Sequence, residues 1–284
     1  MSITRVGIVG SGIMGSGIAE VAAASGYGVV LRSRSQAGAD AMLAGLEKSL
    51  AKQVEKGKRA EAEAKEITGR VRATTHLGEL VDVDLVIESV VEDLAVKKDL
   101  FAELDSICKP GTILATNTST LPVVDMAMAT GRPELVCGVH FSNPATAMVL
   151  VEIVRPITVN DATIQAAITF AEKCGKNPVE VKDQAGFVLN ALLFPYLNNA
   201  VRLLEQGVAS REGIDAAMTG GAGFPMGPLA VLDLVGLDTS LAILDALYAE
   251  FRDSNYAAVP LLRRLVTSGQ LGRKTKKGFY DYNR

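Results

Sequence analysis

The 284-residue sequence has no tryptophan, only two histidines and only three cysteines. Cys108, Cys137 and Cys174 are far apart and odd in number, so neither a disulfide framework nor a zinc cluster is expected, and a reducing compartment suits them. No metal site is expected. No apolar run reaches the length of a membrane span, and no charged-then-apolar leader precedes the first strand-like residues. A cytoplasmic protein without a membrane partner is the expectation. The formal charge of -3 gives no basic excess for nucleic acid or anionic lipid. With two histidines, any imidazole chemistry must fall on His76 or His140. What is present is ordinary globular composition, 48% apolar and 21% charged, in a chain long enough for one large domain or two smaller ones.

The stretch around which the rest is arranged comes first. An apolar run, Ile3 to Val9, enters Gly10-Ser11-Gly12-Ile13-Met14-Gly15, and Ser16 to Ala24 continues at helical spacing. The pattern alone also fits a glycine-rich surface turn. Here a strand precedes it, a helix follows, and a second apolar strand, Val29 to Leu31, comes next, which is the context of a dinucleotide-binding turn. Gly10 would allow the tight turn, Gly12 the approach of a pyrophosphate, and Gly15 close packing. The pyrophosphate would rest on the free N–H groups of the helix.

After the second strand stands Arg32-Ser33-Arg34-Ser35, at the tip where this fold meets the adenosine ribose. A carboxylate here would hold the 2′-hydroxyl of NAD, whereas NADP needs positive charge. The tip has no acid. Residues 37–65 read as a helix with a helical return, basic in its later part, which by itself suits a solvated face. Short strands are expected near Val71, Asp84, Thr112 and Glu134, with a helix from about Leu94 to Ile107. Strands alternating with helices imply a parallel, doubly wound sheet with ligands at the carboxyl ends of its strands. Asn117, Ser119 and His140 are expected just past such ends. Glu152 interrupts the apolar run Val149–Val154. It either faces water from an edge strand or pairs with a nearby histidine and fixes its tautomer. His76, in a polar stretch, receives no role.

A helix over Asp161–Cys174 and a last strand, Asn177–Lys182, close this part. From Phe187 the apolar spacing is helical, with helices expected over 187–205, 229–251 and 259–271. The fold expected is α/β, a Rossmann-type doubly wound sheet over 1–182 followed by an all-helical domain over 183–284. An all-helical segment with apolar faces usually buries them in a second subunit, so a homodimer is expected.

Taken together, several motifs resemble the short-chain 3-hydroxyacyl-CoA dehydrogenases, most closely their bacterial 3-hydroxybutyryl-CoA branch. They are Gly10–Gly17, Asn117-Thr118-Ser119, His140-Phe141-Ser142-Asn143-Pro144, Leu150-Val151-Glu152, Gly186–Asn190, Gly223–Pro228 with Val235–Asp238, and Gly278–Tyr280. The resemblance implies a hydride-transfer enzyme acting on an acyl-CoA. His140 would be the general acid/base, Glu152 would hold its other ring nitrogen, and Ser119 and Asn190 would bond the substrate oxygens. It carries cofactor contacts onto Glu92, Lys97, Asn117, Asn143 and Lys274, and CoA contacts onto Ser49 and Lys56. Three positions depart from the family pattern. Ser33, followed by Arg34, replaces an Asp, Ser142 a Phe, and Ala191 an Arg. The first points to NADP(H) over NAD(H), with NAD(H) use left open if Arg34 faces water. The others bear on acyl-chain length. Transfer of the same chemistry to a carrier-protein substrate, or a structural protein that kept only the fold, are the competing readings.

Overall fold

The computed structural model describes residues 2–283, and the chain divides after Asp183 into two compact units. The first alternates strands and helices. It runs β1 (Arg5–Val9), α1 (Ile13–Ala24), β2 (Gly28–Arg32), α2 (Gln36–Glu55), α3 (Glu61–Gly69) and β3 (Val71–Thr74). Then come β4 (Leu85–Glu88), α4 (Leu94–Ile107), β5 (Ile113–Thr116), α5 (Val123–Ala127) and β6 (Val136–Phe141). It closes with β7 (Leu150–Arg155), α6 (Asp161–Lys173) and β8 (Asn177–Lys182).

Among the described residues these strands form one sheet in the order β3-β2-β1-β4-β5-β6-β7-β8. The first six follow the doubly wound dinucleotide order, in which the crevice opens where the strand order reverses, between β1 and β4. The expectation of a wholly parallel sheet is corrected at one place: β6 and β7 pair antiparallel. The link between them is a short hairpin loop and not a helix, so no crossover can bring β7 in parallel. β8, joined to β7 through α6, is parallel to it and forms the sheet edge. Glu152 is therefore on an interior strand, and the water-facing alternative for it falls away.

Both faces of β1, β4, β5, β6 and β7 are covered, which is why these strands read as near-continuous apolar runs. Val6, Ile8, Leu85, Ile87, Ile113, Ala115, Val139 and Ile153 are essentially inaccessible to solvent. Each such Val, Leu or Ile side chain contributes roughly 1.5–3 kcal/mol on burial. α1 approaches closely because Ala19, Ala22 and Ala23 form its sheet-facing side.

The second unit is helical: α7 (Leu189–Glu205), α8 (Arg211–Gly221), α9 (Pro228–Val235), α10 (Leu237–Phe251) and α11 (Pro260–Thr267). The single helix expected over 229–251 is two, because Gly236 has φ +103 and a Cβ there would meet the Lys274 side chain and Asp238 at 3.1–3.5 Å. Two buried carboxylates organise this unit. Asp215 accepts from Leu229 N and Ala230 N at the start of α9, and Asp233 from Phe279 N and Tyr280 N. Among the described residues no helix is long and apolar enough to cross a membrane.

One carboxylate fixes the N-terminal entry to the sheet. Asp84, just before β4, accepts from Thr4 N (2.8 Å), Thr4 Oγ1 (2.9 Å), Arg5 N (2.9 Å) and Lys109 Nζ (2.7 Å). Burial alone would raise its pKa, but the Lys109 ammonium and the Thr4 and Arg5 donors outweigh it and hold the carboxyl well below the usual range. A carboxyl depressed in the folded state stabilises the fold above its unfolded pKa and loses that contribution as pH falls through its folded value. Asp84→Ala is expected to lower stability by about 1–3 kcal/mol at pH 7. Denaturant titrations down the acid range check this: the gap between wild type and variant should close as pH drops below the ordinary aspartate value.

Candidate active site

Turn geometry at the end of β1 creates the first half of the site. Gly10 has φ +132, and a Cβ there would lie 2.1 Å from the Ser89 carbonyl oxygen. A Cβ on Gly15 would lie 2.1 Å from the carbonyl oxygen of Gly10. Gly12, the N-cap of α1, has open space where a Cβ would stand. No side chain caps this helix start and no acid stands in its first turn, so its N–H groups are left for an anion. Ile13 is 81% exposed beside them, and Met14 is half-buried.

A cleft of about 540 Å³ opens here, lined by Gly10, Ser11, Gly12, Arg32, Arg34, Ser89, Val90 and Val91 with Val96, Asp99, Leu100 and Glu103 of α4. It lies at the carboxyl ends of β1, β2 and β4, where the fold holds its ligands. Arg34 is exposed and, among the described residues, forms no ion pair within 4 Å; Arg32 carries a buried Nε without a hydrogen-bond partner. Ser33 is only 2% exposed, and its hydroxyl accepts from Ser35 N at 3.4 Å. An open glycine, free helix N–H groups and an orphaned guanidinium nitrogen fit the phosphates and ribose of a dinucleotide.

The second half of the site comes from the β6–β7 hairpin and the loop after β5. His140 lies within β6, not beyond its end as expected, directly opposite Glu152 in the antiparallel register. Facing positions share one side of the sheet, and Nδ1 of His140 lies 2.9 Å from Oε2 of Glu152. Its Nε2 lies 3.0 Å from Ser119 Oγ. His140 is 6% exposed and Glu152 1%. Asn117 accepts from Phe141 N at 2.8 Å, tying the β5 loop to the end of β6. Three of the four predicted catalytic residues thus meet in one unit. The fourth, Asn190, stands in the first turn of α7 in the other unit.

Behind Ser119 is a set of three charges, two of them buried, of which the sequence singles out only Lys97 and Glu92. Lys97 of α4, 1% exposed, donates to Glu88 Oε1 at 2.6 Å, and Glu88 is fully inaccessible. Glu88 also accepts from Val90 N and Thr116 Oγ1. Lys97 Nζ lies 3.3 Å from Glu92 Oε2, and Oε1 of Glu92 accepts from Ser119 N (3.0 Å) and the Thr118 hydroxyl. Lys97 and Glu92, expected as cofactor contacts, are thus joined to each other and to the Ser119 loop. Glu88, Thr116 and Thr118 are given no role by the sequence alone. The signal available was an acid closing the apolar strand Leu85–Glu88.

Asn143 is exposed in the hairpin loop. A further lysine holds that loop: Lys176 donates to the carbonyls of Ala145 (2.6 Å) and Met148 (2.8 Å), and burial pushes its pKa below the ordinary lysine value. Ser49 and Lys56 lie apart from this cluster on α2 and its C-cap, where Lys56 is exposed and Ser49 accepts from Gln53 at 3.4 Å. Lys274, in the helical unit, pairs with Asp238.

A Rossmann-type unit with an open anion-binding cleft and a histidine–carboxylate pair defines a nicotinamide dinucleotide-binding oxidoreductase. Residues 5–184 match the family model "3-hydroxyacyl-CoA dehydrogenase, NAD binding domain", and residues 186–282 that of the "3-hydroxyacyl-CoA dehydrogenase, C-terminal domain". The chain belongs to the 3-hydroxyacyl-CoA dehydrogenase family. It is 48% identical over 280 residues to the 3-hydroxybutyryl-CoA dehydrogenase of Clostridioides difficile, covering 99% of this chain and 100% of that protein. Among solved structures it resembles M. tuberculosis FadB2 (45% identity, TM-score 0.97, 99% of this chain and 100% of that one). It also resembles the (S)-3-hydroxybutyryl-CoA dehydrogenase PaaH1 of Ralstonia eutropha (39% identity, TM-score 0.97, 100% of both).

The Glu88–Lys97 pair yields a stability prediction. Removing one member of a buried ion pair typically costs about 3–5 kcal/mol, because the other charge is left uncompensated. Lys97→Met should therefore lower unfolding free energy by about that much, and adding Glu88→Gln should restore part of the loss. Urea denaturation of the two variants and wild type is the check.

Proposed function

We propose that the chain interconverts a 3-hydroxyacyl-CoA and the corresponding 3-oxoacyl-CoA, with 3-hydroxybutyryl-CoA and acetoacetyl-CoA as the short-chain pair. The observation that carries this reading is the Ser119–His140–Glu152 alignment, with hydrogen-bond distances at both ring nitrogens. With Glu152 ionised, Nδ1 carries the proton that it donates to the carboxylate, and Nε2 is left as acceptor. In the oxidative direction Nε2 takes the proton of the 3-hydroxyl, and Glu152 stabilises the imidazolium that results. In reduction the imidazolium returns that proton to the alkoxide oxygen. A bound nicotinamide supplies the hydride acceptor or donor for C3. Ser119 Oγ marks where a substrate oxygen would be held, and Asn190 is assigned to the second oxygen by family resemblance. General acid–base action contributes about 10²–10⁴-fold, and orientation in the site must supply much of the remainder.

For the cofactor we infer NADP(H) over NAD(H). Supporting it is Arg34, exposed on the cleft with no ion pair within 4 Å among the described residues and no acid at the tip; Arg32 discriminates less, and its Nε is buried. The buried Ser33 hydroxyl removes the repulsion that an Asp would exert on a 2′-phosphate. Binding of CoA is assigned to Lys56 and Ser49 on α2, where an exposed ammonium can meet phosphate as a point charge. A homodimer is proposed for the chain in solution. Supporting it are the exposed apolar side chains of the helical unit, Leu192, Leu203, Val208, Phe224 and Leu234 among them.

His140→Ala and Glu152→Gln should each cut turnover with acetoacetyl-CoA by about 10²–10⁴-fold while nucleotide affinity stays near wild type. Nicotinamide absorbance assays and nucleotide titrations measure the two quantities. Near wild-type turnover in either variant would refute the acid/base assignment.

Cofactor choice is tested by comparing kcat/KM for NADPH and NADH. Wild type should favour NADPH by about ten- to a hundredfold, the worth of one or two charge-assisted hydrogen bonds, and Ser33→Asp should reverse or erase that ratio. A wild-type preference for NADH would sink the inference.

A further inference from the structure

We propose that the Glu88–Lys97–Glu92 relay, buried at Glu88 and Lys97 and open to solvent at Glu92, is a positioning device for Ser119, setting where its hydroxyl meets His140. The proposal rests on the acid/base role given above to His140 and extends it to residues that touch no reacting atom. Two of the three charges are inaccessible, Glu88 fully and Lys97 to 1%. A carboxylate and an ammonium withdrawn that far from water hold a fixed geometry, because any departure leaves a charge unpaired.

The geometry runs in one direction, from β4 to the serine. Glu88 is anchored at both oxygens, Oε1 by Val90 N (2.6 Å) and Lys97 Nζ (2.6 Å), Oε2 by Thr116 Oγ1 (2.7 Å). Lys97 passes the constraint to Glu92 Oε2 at 3.3 Å. Glu92 Oε1 then collects three donors from the loop after β5: the Thr118 hydroxyl, Ser119 N at 3.0 Å and Thr120 Oγ1 at 3.5 Å. Thr118 locks the loop from inside, its hydroxyl accepting from Leu121 N (3.0 Å) and its N–H donating to Thr116 Oγ1 (3.1 Å). Ser119 is therefore gripped through its backbone N–H, and its side chain is free to lie 3.0 Å from His140 Nε2. The same loop, through Asn117, holds the end of β6 at Phe141 N.

The relay also borders the dinucleotide cleft. Val90, Val91 and Val96, the neighbours of Glu92 and Lys97 in sequence, line that cleft. A nucleotide pressing on this wall would be felt at Ser119 through Glu92. Simple cofactor contact by Glu92 and Lys97 would not involve Glu88 or Thr118, because both are buried beneath the wall.

Glu88→Gln and Thr118→Val are therefore the probes, since neither side chain can reach a ligand. Each should lower kcat about ten- to a hundredfold, the cost of a small misplacement of a catalytic group, with the Kd for the nucleotide within about twofold. In a Ser119→Ala background the same changes should lower kcat less than about twofold, a non-additivity expected only of residues acting through Ser119. Equal losses in both backgrounds, or a large change in nucleotide Kd at constant kcat, would overturn the proposal. A second readout is independent of turnover. The chain has two histidines, so ring nitrogen resonances of ¹⁵N-histidine-labelled protein are assignable with His140→Ala. At fixed pH, Glu88→Gln and Thr118→Val should move the His140 Nε2 resonance toward its position in Ser119→Ala and leave His76 in place. An unmoved His140 resonance in both variants overturns the relay even if the protein proves inactive on acyl-CoA. Inactive wild type with a shifted resonance overturns only the activity.

Discussion

Two carboxylates sit inside the first unit where water cannot reach them, Glu88 at 0% exposure and Glu152 at 1%. An ionised carboxylate in such surroundings is tolerable only with a partner and further hydrogen bonds. Each has found a different solution. Glu88 is neutralised by Lys97 and bonded by Val90 N and Thr116. Glu152 faces the imidazole of His140, a partner that is charged in only one protonation state. The first partner keeps its charge, and the second gains one only when protonated. That difference separates the scaffold of the site from the chemistry proposed for it.

Much of the first unit was legible because local sequence and global fold agree there. The strand–glycine–helix start, the strand positions and the helix over 94–107 follow from apolar period and turn residues. The pairing of His140 with Glu152 was legible only as one of two options. The direction of β7 decides between them, and direction is a property of connection length and sheet context. Gly236 was misread as an ordinary residue of a long helix, since an isolated glycine in an apolar helical pattern gives no warning of a positive φ. α8 went unnoticed because its stretch is polar and glycine-bearing. It earns its place through Asp215, which reaches the start of α9 across 14 residues.

Charged residues in the site were recognised as types but not as a network. Lys97 shares its helix with four other charged residues and has no local mark of burial, yet it is almost wholly covered. Its burial is dictated by Glu88, and the contact needs the side-by-side placement of β4 and α4 that no local pattern states. The same holds for Lys176, whose two carbonyl acceptors lie about thirty residues away on the hairpin loop.

The antiparallel turn between β6 and β7 has a consequence for how such a protein can change. His140 and Glu152 are held opposite each other by ladder register, and a slip of one residue would turn Glu152 to the other face of the sheet. The loop between them, residues 142–149, is tied at single points and not by register: Lys176 clasps the Ala145 and Met148 carbonyls, Asn177 N donates to the Val149 carbonyl, and Ala145 is buried. A substitution in that loop leaves the ladder register of the two residues in place, whereas a single deletion within β7 would abolish their pairing. Substitutions can therefore accumulate in the loop while the hairpin strands keep His140 opposite Glu152.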